Sequence, residues 1–235
     1  MRTIGLLGGM SWESSIEYER AINTEVRRRL GGAHSADLII RSYDFAEIER
    51  QQMAGDWEAL GSLLAADAVA LQTAGAEVIV LCTNTMHIVA DQIEKAVDAP
   101  FIHLGDTTAR AVVAAGVSSV GLLGTRYTME RDFYLDRLTE HGLEVIVPDE
   151  PDRTLVHEVI FDELVQGLVT DRSKRAYLDV IERLVDRGVA GIIAGCTEIE
   201  LLIGPGDVTM PYFPTAHLHA MAAVDAALAT GGPNR

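Results

Sequence analysis

The chain contains two cysteines, Cys82 and Cys196, each preceded by an apolar run and followed by a threonine. The first stretch reads Val78-Ile79-Val80-Leu81-Cys82-Thr83-Asn84-Thr85-Met86-His87, and the second reads Gly191-Ile192-Ile193-Ala194-Gly195-Cys196-Thr197-Glu198. Apolar, β-branched runs bounded by polar residues mark strands buried on both faces, and residues 85–97 place Ile88, Ile93 and Val97 at helical spacing. Cys82 is therefore expected where the carboxyl end of a strand meets a helix amino terminus. Ligands of open parallel sheets bind just outside such strand ends. The free N–H groups and dipole of the following helix favour anions, which helps a carboxylate dock and helps a thiol ionise.

Two thiols on either side of a small ligand can invert a carbon centre. One removes a proton while the other supplies one to the opposite face, which is two-base racemisation or epimerisation. Cysteine suits this work because its reference pKa, about 8.5, needs only a modest fall to give thiolate at neutral pH. Thr83, Asn84, Thr85 and Thr197 offer hydrogen-bond donors for a carboxylate, stabilising charge as the α-carbon loses its proton. The competing readings of the pair are a lone disulfide, two buried bystanders, and a zinc site with His87, His103, His217 or His219. Neither C-x-x-C nor H-E-x-x-H spacing occurs, and His217-x-His219 puts its two members on different helix faces. His87 reads as a packed or surface histidine.

The elements that must position the cysteines form a pattern that occurs twice. Residues 3–8 read as a strand, and Gly8-Gly9-Met10-Ser11-Trp12-Glu13 turns into a helix that ends at Gly31-Gly32. A strand over 36–43, a helix over 56–74, the Cys82 strand and a short strand over 100–104 follow. A second series comprises a strand over 119–124, a helix over 129–141, a strand over 143–147, helices over 152–167 and 171–187, and the Cys196 strand. A strand over 210–214 and a helix over 216–229 close it, and residues 231–235 are expected to be loose. Gly5 to Gly121 and Gly8 to Gly124 are each 116 residues apart, Cys82 to Cys196 is 114 and Pro100 to Pro211 is 111. Matched offsets at separate landmarks indicate a duplicated half. The fold class is therefore α/β, with two pseudo-symmetric Rossmann-like lobes of parallel sheet and the active site in the cleft between them. Residues 1–104 with 210–235 are assigned to the first lobe and 105–209 to the second. The glycine spacing Gly5-x-x-Gly8-Gly9 is neither a dinucleotide fingerprint nor a P-loop.

The 19 basic and 35 acidic residues give a formal charge of −16, which opposes nucleic acid and anionic membranes as partners. The one basic cluster, Arg27-Arg28-Arg29, lies on a helix whose apolar positions Tyr18, Ile22, Val26 and Leu30 step by four, so it reads as a solvated face. No apolar stretch approaches membrane-spanning length, and the amino terminus has no signal-peptide profile, so a cytoplasmic location is expected.

Gly5-Leu6-Leu7-Gly8-Gly9-Met10-Ser11-Trp12-Glu13-Ser14, Cys82-Thr83-Asn84-Thr85 and Gly195-Cys196-Thr197-Glu198 resemble the motifs of the aspartate/glutamate racemase family, over essentially the whole chain. Ser42-Tyr43-Asp44-Phe45 and Leu123-Gly124-Thr125-Arg126-Tyr127-Thr128-Met129-Glu130 look closest to its bacterial broad-specificity amino-acid racemase branch. The resemblance implies an enzyme of D-amino-acid metabolism that uses no pyridoxal phosphate, other cofactor or metal, acts on a small amino acid and forms a homodimer. It makes Cys82 and Cys196 the catalytic acid/base pair, with Cys196 acting on the L-enantiomer. Met10, Gln52, Thr83, Asn84, Thr85, Thr125, Thr197 and Glu198 become substrate-binding positions, with Tyr127 a weaker one. Without the resemblance Met10 reads as turn packing, Gln52 as an exposed loop residue, and Thr125 as a cap.

Aspartate-selective members carry a lysine in the helix before the second cysteine half, where this chain has Val165, and an arginine in the region of Gln52, where Arg50 is close by and could substitute. A buried second carboxylate with no cation is costly, so neutral or polar substrates are favoured over aspartate. Related hydantoin racemases and maleate isomerases are the alternative enzymes, and an amino-acid-binding protein with inert thiols is the non-catalytic alternative. Closure over a ligand calls for mobile loops, among them residues 46–56.

Overall fold

The computed structural model describes residues 1–229, so the expectation for 231–235 lies outside the described residues. In chain order the elements are β1 (Ile4–Gly8), α1 (Trp12–Leu30), β2 (Leu38–Ser42), α2 (Phe45–Ala54), α3 (Trp57–Thr73), β3 (Val78–Leu81), a 3₁₀ turn (Thr85–Val89), α4 (Ala90–Ala96), β4 (Phe101–Ile102) and α5 (Leu104–Ala114). They continue with β5 (Ser119–Gly124), α6 (Arg126–Glu130), α7 (Asp132–Glu140), β6 (Glu144–Ile146), α8 (Asp152–Asp162), a second 3₁₀ turn (Leu164–Gln166), α9 (Asp171–Asp186), β7 (Ile192–Gly195), α10 (Ile199–Leu202), β8 (Tyr212–Pro214) and α11 (Thr215–Leu228).

Two all-parallel sheets result, ordered β2-β1-β3-β4 and β6-β5-β7-β8. The identical order is the structural form of the duplication. β3 and most of β7 are apolar and wholly buried, as expected of central strands covered on both faces. Helix α1 begins at Ser11, whose side chain accepts the Ser14 N–H, and buries Tyr18, Ile22 and Val26 on one stripe. Arg28 and Arg29 pair with Glu25 on its exposed face, in keeping with a solvated cluster.

The two compact units are residues 1–82, 89–103 and 219 onward, and residues 83–88 with 104–218. Strand β8 pairs with β7, so residues 210–218 go with the second unit and not, as expected, with the first. Each unit takes one helix from the other sequence half, most of α11 in the first and α5 in the second. In the first, Tyr18 of α1 donates its hydroxyl to Nδ1 of His219 on α11 at 2.9 Å. In the second, Tyr134 of α7 makes a longer bond, 3.4 Å, to Thr108 on α5. Tyr134 stands 116 residues after Tyr18, and His219 stands 111 after Thr108, so the same contact is built twice with the carboxyl-terminal helices exchanged.

Glycine is required where these layers touch. A Cβ on Gly5 would lie 2.8 Å from Ala76 Cβ and 3.3 Å from Leu71 Cβ, and one on Gly121 would lie 2.9 Å from Ile192 Cδ1 and 3.0 Å from Leu184 Cδ1. Gly5 also faces Ile79, so Cys82 follows its contact residue by three positions while Cys196 follows Ile192 by four. The halves are therefore one residue out of step at the strand ends that carry the cysteines.

Three further expectations change. Residues 46–56 are not a loop: Asp44 accepts the Ala46 N–H, Gly55 closes the helix at φ 70°, and α2 forms between them. The helix expected over 85–97 opens as the 3₁₀ turn and becomes α-helical only at Ala90, after Val89 at φ −113°. The helix expected over 129–141 starts earlier and is broken at Arg131, whose backbone is extended at φ −99° and ψ 142°.

Candidate active site

Strand β3 delivers Cys82 directly. Its N–H continues the ladder to the Leu7 carbonyl at 2.9 Å, and its side chain is fully buried. Among the described residues no hydrogen bond involves the Cys82 thiol. The backbone then leaves the sheet through Thr83 and Asn84, both buried and both in the second unit.

Several bonds fix that turn. The Asn84 carbonyl accepts the His87 N–H at 3.0 Å, and the Thr83 carbonyl accepts the His87 ring Nδ1–H at 2.7 Å. The Asn84 amide Nδ2 donates to Thr215 Oγ1 at 3.1 Å, and Thr215 Oγ1 donates to the Ala194 carbonyl at 2.7 Å. Because the Thr215 proton is committed to Ala194, its oxygen can only accept from Asn84. The amide is thereby oriented, and its Oδ1 is left buried without a partner. Such an acceptor costs about 1 to 3 kcal/mol unless something meets it. Thr85 Oγ1 lies 3.0 Å from Thr125 Oγ1, and Thr125 also caps α6 by accepting the Thr128 N–H.

Cys196 follows β7 in the same unit. Its Sγ donates to Glu198 Oε2 at 2.8 Å, and Thr197 Oγ1 donates to the same oxygen at 2.7 Å. Glu198, an expected substrate-site residue, receives the Cys196 thiol on its carboxylate. Burial pushes the Cys82 thiol up, and burial together with the Glu198 charge raises Cys196 well above the ordinary value. Helix termini were expected to favour thiolate. Desolvation opposes them at both sulfurs, and Cys196 donates its hydrogen to Glu198.

The candidate residues divide between the units. Cys82, Met10 and Gln52 belong to the first, and Thr83, Asn84, Thr85, Thr125, Cys196, Thr197 and Glu198 to the second, where the bonds above join them. Met10 and Gln52 are both buried, and Gln52 lies on the inward stripe of α2 with Ile48 instead of on an exposed loop. Arg50 is exposed and pairs with Glu47 at 2.8 Å. Among the described residues no three His, Cys, Asp or Glu side chains gather as metal ligands. His87 and His219 are occupied in packing bonds, and His217 is exposed. The sequence does not single out Thr215, which meets Asn84 from more than a hundred residues away, and His87, read there as a packed or surface histidine, is packed with bonds that no spacing marks.

The sequence model of the Asp/Glu/Hydantoin racemase family matches residues 7–223. The chain belongs to this family. The fold agrees with solved members. A Yersinia pestis protein described as a candidate Asp/Glu racemase shares 52% identity, covers 97% of this chain and 100% of its own, and superposes with a TM-score of 0.92. An aspartate racemase homologue from Pyrococcus horikoshii OT3 shares 35% identity over 97% of this chain and 99% of its own, with a TM-score of 0.84. The broad specificity amino-acid racemase RacX of Bacillus subtilis (strain 168) is 21% identical over 232 residues, 96% of this chain and 98% of its own. In this family member the two parallel sheets present Cys82 and Cys196 directly after their third strands in sequence, β3 and β7.

Proposed function

We propose that the protein is a cofactor-independent amino-acid racemase in which Cys82 and Cys196 exchange protons with opposite faces of the substrate α-carbon. The observation that carries this reading is the duplication itself: the same strand of each sheet leads into a buried cysteine. The turn after Cys82 supports an amino acid as ligand. Among the described residues the N–H groups of Thr83 and Asn84 have no acceptor, while both carbonyls are taken by His87, so the turn offers donors suited to a carboxylate. The orphaned Asn84 Oδ1 is an acceptor suited to an ammonium group.

Glu198 supplies a proton acceptor for one member of the pair. Its carboxylate can take the Cys196 proton along the existing 2.8 Å bond, leaving a thiolate beside a neutral acid. That thiolate removes the α-proton from the L-enantiomer, and the Cys82 thiol delivers its own proton to the other face. The product is the D-enantiomer, with Cys196 protonated and Cys82 ionised. The substrate ammonium offsets the charge of the thiolate that burial disfavours.

Neutral and polar side chains remain favoured over aspartate. Val165 brings no charge, and Arg50 is held by Glu47 at the surface. The broad specificity named for the Bacillus subtilis relative points the same way. A panel of L-amino acids, including homoserine, methionine, aspartate and glutamate, incubated in heavy water without added cofactor tests the reading. Loss of the α-proton signal with D-product supports it and ranks the substrates. If no amino acid exchanges, the racemase reading fails.

A further inference from the structure

His87 is buried and serves the turn that follows Cys82 in two ways. Its backbone N–H bonds the Asn84 carbonyl at 3.0 Å, and its ring joins two elements. Ring Nε2 accepts the N–H of Leu104, the first residue of α5, at 3.1 Å. Since a backbone N–H can only donate, Nε2 carries no hydrogen. Since the Thr83 carbonyl can only accept, Nδ1 carries one. The ring is therefore a neutral imidazole in a single tautomer, and rotating it would break both bonds.

We propose that His87 is a positioning residue for catalysis: its Nδ1–H holds the Thr83 carbonyl so that the Thr83 and Asn84 N–H groups stay turned toward the substrate carboxylate. The proposal rests on the racemase reading of the same site. A flexible turn would let the carbonyls compete for that space, and an oxygen facing a carboxylate would repel it. The rigid ring prevents this because its other nitrogen is anchored on α5.

The two bonds can be separated by substitution. In H87N the amide nitrogen occupies the place of Nδ1 and can still donate to Thr83, but the Leu104 N–H loses its acceptor. In H87Q the amide oxygen reaches the place of Nε2 and can still cap α5, but the Thr83 carbonyl loses its donor. H87N is expected to keep kcat/KM within about threefold while its Tm falls by a few degrees, as for a lost helix cap. H87Q is expected to lose roughly tenfold in kcat/KM, mainly through KM, with a smaller change in Tm. Alkylation by iodoacetamide, followed peptide by peptide by mass spectrometry, gives a readout independent of activity. The Cys82 rate relative to Cys196 rises roughly tenfold in H87Q and stays near wild type in H87N.

Equal losses in both variants, a greater loss in H87N, or no loss in either overturns the proposal. If wild type exchanges no α-proton, the racemase reading fails, while the alkylation ratio still decides whether His87 orders the turn. Should H87Q not fold, ¹⁵N NMR of the wild-type histidines decides: the Nδ1–H tautomer at His87 is expected, and an Nε2–H tautomer overturns the proposal.

Discussion

Acid should weaken the first unit through one buried histidine. Nε2–H of His219 donates to the Ile102 carbonyl at 2.6 Å, and Nδ1 accepts the Tyr18 hydroxyl at 2.9 Å, so β4, α11 and α1 meet at a neutral ring. Protonation would place a hydrogen on Nδ1 against the Tyr18 donor and a charge where no water reaches. Burial, the largest cause, with the neighbouring His103 charge opposing a second cation, lowers the His219 pKa from 6.5 to about 4. The unfolded chain therefore binds the proton more readily than the folded one, and stability rises with pH in this window. The His219 contribution is complete above about pH 6.5 and is lost as pH falls toward 4. A gap of this size corresponds to about 3 kcal/mol, a large part of the 5–15 kcal/mol of a typical domain. Urea unfolding followed by circular dichroism at pH 7, 6, 5 and 4 reads the loss. The same series on H219Q, which keeps a donor for Ile102 and has no imidazole to titrate, removes the contribution of every other group by subtraction. Between pH 7 and 4 wild type should lose about 3 kcal/mol more than H219Q. Parallel pH profiles would refute the reasoning, as would an imidazole NMR titration of His219 with its midpoint near 6.5.

Other perturbations follow from contacts already described. E198Q removes the carboxylate that accepts the Cys196 proton and should lower kcat roughly 100-fold or more in both directions, with the equilibrium constant unchanged, as read by chiral chromatography from either pure enantiomer. G5A should destabilise by about 1–3 kcal/mol in urea titration because the new methyl meets Ala76 Cβ, which has no rotamer to yield. G121A should cost less, since its methyl meets the flexible ends of Ile192 and Leu184. R50A should leave KM for every substrate within about twofold, because an exposed ion pair of this kind contributes little. A large rise in KM for aspartate alone would instead place Arg50 in the substrate site.

Much of this architecture is legible in the sequence, for a physical reason. Central strands of parallel sheets are buried on both faces, so Val78-Ile79-Val80-Leu81 and Gly191-Ile192-Ile193-Ala194 read as uninterrupted apolar runs, and the residues after them stand out. Helices with wide apolar stripes, such as α1 with Tyr18, Ile22 and Val26, read equally well. Helix α2 does not, because it buries only Ile48 and the polar Gln52, and α5 opens on Leu104-Gly105-Asp106-Thr107-Thr108, which has weak helix propensity. The exchange of α5 and α11 depends on packing that no local pattern encodes, and it misplaced the boundary at residue 210. Cys196 shows the same limit: only Thr197 separates it from Glu198 in the sequence, but the fold turns that carboxylate onto the thiol.

The two-cysteine mechanism is tested most directly by following one L-substrate through its first turnovers in heavy water, with wild type, C82A and C196A compared by chiral separation and mass spectrometry. The account predicts D-product carrying one solvent deuterium at the α-carbon, unreacted L-substrate still carrying protium, and no racemisation by either variant. Deuterium appearing equally in both enantiomers, or racemisation surviving the loss of either thiol, would contradict it.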